Sequence, residues 1–446
     1  MPELHPNPMA ANEPVTAFTT PRLMSVDALR GFDMFWIIGA GELVNAFNRM
    51  SHGGKTEGST GFSITGFLAE QLEHVDWAGF RFYDMIFPLF VFVMGVSLVF
   101  SLTKQIKTGG RKDALKRLTR RFVLLFVVAL LYSGGFTNPW PDMRLLGVLN
   151  RIALCYFFGG LIFIYFKPKA MAGIAVALLI GYWALMNFVP IRDIQLESGN
   201  LAKMAEASGD AKMAALFKED GNFSTTRNNP AWTWTQAAFA NTTNMTTGKF
   251  EPGLNVANHF DFKYLPGKKW DTYYDPEGWL STIPAIATCL FGVFAGLLLR
   301  SGSHCDKWKL IYLFSFGAAA VLLGFFWGTQ FPVIKKIWSS SFVLVAGGYS
   351  AMLLGAFYWM VDVKKWQGWC QPFVWMGMNS ITIYLASNVI GGFRRLAQRF
   401  VGGDVKTFFE NNVAIGSGDL VVAIVGLLLA FCLVRFLYQR KIFLRV

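Results

Sequence analysis

The chain has 446 residues, 53% of them hydrophobic, with 43 Phe and 15 Trp and a mean hydropathy of +0.38; that apolar load excludes an ordinary soluble domain. The formal net charge of +13 does not call for a nucleic-acid partner, because Lys and Arg gather in short connections between apolar runs, where the positive-inside rule accounts for them. Five cysteines (Cys155, Cys289, Cys305, Cys370, Cys432) sit in or beside apolar segments, with no CxxC pair, and read as packing residues rather than disulfide partners.

The Pro-rich first twenty residues have no apolar core, so residues 1–26 read as a cytoplasmic tail and the first apolar helix as the insertion signal. Apolar windows of about 19 residues predict about ten spanning helices, near 27–48, 79–102, 119–136, 146–166, 170–189, 278–299, 308–327, 339–361, 371–392 and 419–437. The predicted class is an all-α polytopic membrane protein: helices one to five in 27–189, an extracytoplasmic insert 190–277, and helices six to ten within 278–446. The basic loop from Lys104 to Arg121 marks the cytoplasmic face, and both termini are expected there. Loop 49–78, which holds His74, and the insert then fall on the opposite face. Arg394, Arg395 and Arg399 also fall on that face, against the rule. Within the insert, 195–218 has helical spacing, whereas 232–247 is polar and aromatic and reads either as a glycan-site lining or as a cap over helix ends.

Polar groups inside the apolar runs carry the functional signal, since an unpaired charge at mid-bilayer costs at least about 2.5 kcal/mol. Asp27, Arg30, Asp33 and Glu42 lie on or beside the first span. Asp27 and Arg30 are three apart and share a helix face, as a structural ion pair or as an anion-recognising group. His74 stands in a polar loop ten residues before Asp84, and Asp84 lies one turn before Pro88; a buried carboxylate there can orient the imidazole. Asn150 and Arg151 begin the fourth span, and Asn379 and Ser380 lie in the ninth, where they can bind ligand oxygens or bond helix to helix. Asp275 and Glu277 precede the sixth span, a position that the helix dipole favours by itself.

SVDALRGFDM at 25–34, HVDWAGFRFYDMIFPLFVFVMG at 74–95, GVLNRIALCYF at 147–157, DPEGWLSTIPAIATCLFGVFAG at 275–296 and GMNSITIYL at 377–385 together resemble the transmembrane acyltransferase family typified by heparan-α-glucosaminide N-acetyltransferase, including its bacterial homologues. The resemblance covers nearly all of the chain. It implies transfer of an acetyl group from cytoplasmic acetyl-CoA to an amino sugar across the membrane, with His74 catalytic and Asp84 as the acid of its motif. It also implies a bacterial inner-membrane protein and a homodimer. Where many relatives carry an Asn eleven residues after the first-span Arg, this chain has Gly41 followed by Glu42; Asn150 stands where many carry Gln, and Ala386 and Ser387 stand where some carry a histidine.

On this reading Asp27, Arg30, Asn150, Arg151 and Ser380 bind acetyl-CoA, with Arg30, Arg151 and nearby basic residues on its nucleotide. Glu42, Trp77, Asp275 and Glu277 are candidates for the amino sugar or glycan acceptor, and Asn379 for the oxyanion. His74 acts either as general base or as a transient acetyl carrier. No metal is expected. Two other classes fit the same polar pattern: a sugar or oligosaccharide permease, and a sensor that binds CoA without turnover.

Overall fold

A computed structural model of the chain describes residues 23–52, 63–137, 139–219 and 229–444. The expected tail 1–26 therefore lies almost wholly outside the described residues, as do parts of the loop 49–78 and of the insert. The architecture is helical. Among the described residues seven helices are long and apolar enough to cross a membrane, fewer than the ten windows expected from sequence. The difference comes from helices that are broken or joined.

The first window is split. Helix α1 (Met24–Phe35) leads through a π-turn at Trp36–Ala40, where Gly39 has φ +152°, into α2 (Gly41–Ser51). Helix α3 (Ile64–Gln71) follows. The second and third windows are joined in α4 (Phe82–Tyr132), whose helical path is interrupted at Gly110 by a φ of +75°. The arms fold back on each other there. Arg117 Nη1 donates to Gln105 Oε1 at 3.1 Å, whereas a straight helix would hold these residues about 18 Å apart. The basic stretch Lys104–Arg121, expected as a loop, is thus helix on both sides of one glycine turn. Leu98, Leu102, Ala114 and Leu118 seal the turn in a buried cluster with Tyr156 and Met171.

Helices α5 (Val148–Tyr165) and α6 (Pro168–Phe188) lead to the insert. The insert has its own small core. Strand β1 (Ile191–Arg192) pairs antiparallel with β2 (Met245–Thr246); α7 (Ser198–Ala207), α8 (Ala211–Glu219), α9 (Pro230–Asn241) and α10 (Val256–Tyr264) surround them. Leu201, Phe217, Trp232, Phe262 and Tyr273 are buried together. Trp232 is packed inside, stacked on Tyr273 at 6.0 Å, rather than displayed along an open groove.

Helices α11 (Trp279–Arg300), α12 (Asp306–Trp327) and α13 (Ser340–Phe357) complete the central bundle, in which Leu29, Leu89, Phe92, Leu290, Phe342 and Val345 are buried in one cluster. The ninth window is broken at Asn379 between α14 (Gln371–Met378) and α15 (Ser380–Val389). Short helices α16 (Phe393–Val401) and α17 (Asp404–Asn412) precede α18 (Ser417–Gln439). The two broken windows lie backbone to backbone: a Cβ on Gly31 would meet Phe373 O at 1.7 Å, and one on Gly377 would meet Asp27 O at 1.9 Å. Small residues permit this approach where lipid offers no hydrophobic drive for helix pairing. Of the three arginines that fall against the charge rule, Arg394 is neutralised locally, facing Glu42 at 3.8 Å and Asp419 at 3.4 Å.

Of the five cysteines, Cys155, Cys289 and Cys370 are buried, whereas Cys305 and Cys432 are exposed; none is in a disulfide.

Candidate active site

His74 follows α3, and Asp84 occupies the first turn of α4. Asp84 is 1% exposed, and its two oxygens organise the segment between them. Oδ1 lies 2.9 Å from His74 Nδ1, and Oδ2 accepts the backbone N–H groups of Val75 at 3.3 Å and Arg81 at 3.2 Å. An Nδ1–H donating to this carboxylate leaves Nε2 with its lone pair available. The His74 side chain remains 53% exposed, with the Tyr83 ring packed 4.7 Å away.

A third group, absent from the sequence expectations, joins this pair. Lys335, in the connection between α12 and α13, places Nζ 2.9 Å from His74 Nδ1, 3.3 Å from Nε2 and 3.4 Å from Asp84 Oδ1. Burial pushes its ammonium below the usual lysine range, and Asp84 opposes that shift. The only sequence signal was a pair of lysines in a short connection on the same face as the His74 loop.

His74, Lys335 and Glu277 line a cavity of about 220 Å³, whose walls include Phe87, Tyr384 and Ser380. A second cavity, of about 440 Å³, carries Arg30, Arg117, Arg120 and Arg121 and has no carboxylate among its lining residues; Asn379 and Ser380 line it too. Phe90, Ile152, Ser380 and Ile381 line both cavities, so the two abut at this wall. Along α4 the lining runs from Tyr83 to Ser101, roughly 27 Å at 1.5 Å per residue, close to the thickness of a hydrocarbon core. One end is cationic, the middle apolar, and the other end holds the His74 centre.

The remaining sequence candidates divide between these cavities and the scaffold. Arg30 lies 3.6 Å from Asp27, contacts Ser97 Oγ and donates to Gly377 O at 3.5 Å, so it faces the basic cavity while tied to α14. Asn379 lines the basic cavity rather than the His74 cavity; its Nδ2 donates to Trp375 O at 3.3 Å, and its buried Oδ1 has no hydrogen-bond partner among the described residues. Asn150 is fully buried, donating to Phe126 O at 3.5 Å. Arg151 is enclosed away from the other arginines: it donates to Pro276 O at 2.8 Å, contacts Ser281 Oγ and lies over the Trp338 ring at 4.8 Å.

Asp275 is held by Arg144, which donates to it through Nε at 2.9 Å and through Nη2 at 2.8 Å, and it caps the backbone N–H groups of Trp270 and Glu277. Glu277 takes Arg144 Nη2 at 2.8 Å and alone of this acidic pair lines the His74 cavity. Burial, and then Asp275 beside it, push its carboxyl up to about 7 against the pull of Arg151 and Arg144. Trp77 donates to Phe250 O at 2.7 Å and so ties the His74 loop to the insert. Glu42 faces Arg394, outside both cavities. Among the described residues no cluster of three or more His, Cys, Asp or Glu is gathered as a metal site.

The fold and this site define an all-α membrane protein with two abutting cavities, one of which holds a histidine–aspartate–lysine centre. Residues 60–204 match the family described as heparan-alpha-glucosaminide N-acetyltransferase, catalytic. The chain is 26% identical over 392 residues to heparan-alpha-glucosaminide N-acetyltransferase of Mus musculus, covering 84% of this chain and 56% of that protein. The Homo sapiens protein of the same name matches at 26% identity over the same length, with 54% of it covered. By these matches the chain is similar to heparan-α-glucosaminide N-acetyltransferases, with the family match lying in residues 60–204. It spans about half the length of the curated relatives it matches.

Proposed function

We propose that the chain is a transmembrane acetyltransferase that moves an acetyl group from acetyl-CoA, bound at the arginine end, to an amino sugar at the His74 end. The observation that carries this reading is the wall of Phe90, Ile152, Ser380 and Ile381 shared by two cavities, one lined by four arginines and the other by the imidazole. Phosphates suit the first cavity, because guanidinium groups give paired, charge-assisted hydrogen bonds. Acetyl-CoA supplies an activated acetyl thioester, and Arg30, Arg117, Arg120 and Arg121 are the residues that would hold its nucleotide. This assignment moves nucleotide recognition from Arg151 to the arginines of α4 and leaves Arg151 a scaffold role.

At the other end the amine nitrogen attacks the thioester carbonyl, its proton passes to His74 Nε2, and the C–S bond breaks to give the amide and CoA thiolate, which takes the proton from the imidazolium and leaves as thiol; Asp84 fixes the ring and stabilises the imidazolium that forms. Glu277, on the same cavity, offers a carboxylate to the incoming ammonium. The similarity to heparan-alpha-glucosaminide N-acetyltransferases supports an amino-sugar acceptor. Arginine-end residues lie on the positive face expected to be cytoplasmic, so the reading runs from cytoplasm outward, with both termini inside, the insert outside and the broken windows counted to give about ten crossings of a bacterial inner membrane. A homodimer, residue ranges 27–189, 190–277 and 278–446, and the absence of a catalytic metal complete the proposal.

Purified protein in detergent, given labelled acetyl-CoA and a panel of amino sugars and hydroxyl sugars, tests it. The expected result is labelled amide product that disappears in a folded His74→Ala variant. Binding of a sugar with no binding of CoA would replace the reading with a permease.

A further inference from the structure

We infer that Lys335 is a positioning residue of the His74–Asp84 centre: a fixed cation that competes with the imidazole for their single buried carboxylate and holds His74 in its neutral, proton-accepting form. Its consequence for turnover rests on the acetyl-transfer reading. Its effect on His74 does not.

The lysine is placed by built structure. Gly79 N–H donates to Val333 O at 2.8 Å, and Ala78 bridges Ile334, which ties the histidine loop to the lysine's own connection. Behind it, Ile334 N–H donates to Ser339 Oγ at 3.0 Å, Ser339 Oγ to Pro332 O at 2.7 Å, and Trp338 N–H to Lys335 O at 2.9 Å. The side chain is 22% exposed, so the ammonium cannot retreat far into water.

The charged groups around the ring come from three elements. Asp84 approaches from the start of α4, Lys335 from the α12–α13 connection, and Glu277 lines the same cavity from the segment before α11. Tyr83 packs on the ring. Lys336, next in sequence, is engaged 2.9 Å away with Asp271 of the insert, so it does not relieve Lys335. Asp84 alone favours the imidazolium. An ammonium about 3 Å from the ring nitrogens opposes it, and even at the dielectric of water such a like charge shifts a midpoint by about one pH unit. With Lys335 present, Asp84 is shared between two cations, and the nearby ammonium opposes protonation of the ring. A general base needs this result, because a ring that is already protonated cannot accept the amine's proton.

The test is the pH dependence of carbethoxylation of His74 by diethylpyrocarbonate, which reacts with the neutral imidazole. It is followed by peptide mass spectrometry on the full chain in detergent, with no substrate. Lys335→Met should raise the midpoint for His74 by about one pH unit or more, Lys335→Arg should leave it within a few tenths, and Asp84→Asn should lower it. If Lys335→Met fails to fold, Lys335→Gln provides the same charge removal in a polar side chain. An unchanged or lowered midpoint in folded Lys335→Met or Lys335→Gln overturns the inference. Absence of acetyl transfer to any acceptor, with the midpoint shift present, counts against the proposed function and leaves the assignment of Lys335 standing.

Discussion

His74 Nδ1 and Asp84 Oδ1 lie 2.9 Å apart because the same carboxylate also caps the helix that carries it, accepting the Arg81 N–H. The orientation of the imidazole is therefore coupled to the start of α4. Loss of the carboxylate should affect both the ring and the loop. Asp84→Asn keeps the shape and can keep hydrogen bonds while removing the charge that stabilises an imidazolium. It is expected to lower kcat by roughly 10²- to 10⁴-fold, with little change in the KM for acetyl-CoA. Steady-state kinetics on the folded variant check this split.

On the proposed function the arginine cavity takes acetyl-CoA and the His74 cavity the acceptor. Arg117→Gln, Arg120→Gln and Arg121→Gln are each expected to weaken CoA binding by about 10- to 100-fold, the range of one hydrogen bond to a charged group. Acceptor KM should be unchanged. Titration of CoA at rising salt should show a shallower dependence in the variants than in the wild type, because fewer charges remain to be screened.

Arg144 is the counter-ion of two acids, Asp275 at 2.8 Å and Glu277 at 2.8 Å, and Asp275 is only 2% exposed. Arg144→Met strands both and is expected to cost roughly 3–5 kcal/mol. Adding Asp275→Asn should recover part of the loss, since the groups are in contact and their effects are not additive. Thermal melting in detergent of the two single variants and the double variant reads the coupling.

Two buried groups of the insert have opposite pH signatures. Burial lowers His259 to about 4, from an ordinary 6.5, so the stability associated with its neutral form is complete above pH 6.5 and falls away as pH drops toward 4. Burial raises Asp261 to about 7, from 3.8, so its contribution is complete below pH 3.8 and is lost as pH rises through 7. Relative to wild type, His259→Gln should gain stability as pH falls from 6.5 to 4. Asp261→Asn should gain as pH rises from 3.8 to 7. Each trend approaches about 1.4 kcal/mol per pH unit at most, and melting curves across pH 4 to 8 show whether the signs are opposite.

Gly31 and Gly377 set the spacing of α1 and α14. Alanine at either position drives a methyl group into the other helix's backbone, where no rotamer change relieves the clash. Either substitution should destabilise the protein by about 1–3 kcal/mol or more. Because Gly31 adjoins Arg30 and Gly377 adjoins the Asn379–Ser380 wall, CoA binding should weaken while diethylpyrocarbonate still reaches His74.

His74 and Asp84 were legible because an acid in an apolar run needs a partner and the histidine lies ten residues away in sequence. Lys335 was not, since it meets His74 across 261 positions and its local sequence is that of any basic connection. Arg151 shows the converse. A buried arginine at the start of a span has the same one-dimensional signature whether it meets a ligand or the protein, and its contacts with Pro276 O and Trp338 come from distant elements. Lys104–Arg121 was read by charge alone. Its helical continuation around Gly110, which brings Arg117, Arg120 and Arg121 to a cavity wall, depends on tertiary packing that charge counting does not contain. Trp232 was polar and aromatic company in sequence and core in structure, because its neighbours in space come from α10 and the Lys269–Tyr273 segment.

The most direct measurement reconstitutes the protein in sealed vesicles, with labelled acetyl-CoA confined to the arginine side and a membrane-impermeant amino sugar confined to the His74 side. Labelled N-acetyl product on the His74 side, lost in folded His74→Ala and weakened at limiting acetyl-CoA in Arg120→Gln, is the expected result. Movement of unmodified sugar across the membrane without acetyl-CoA, with no acetylated product, would contradict it.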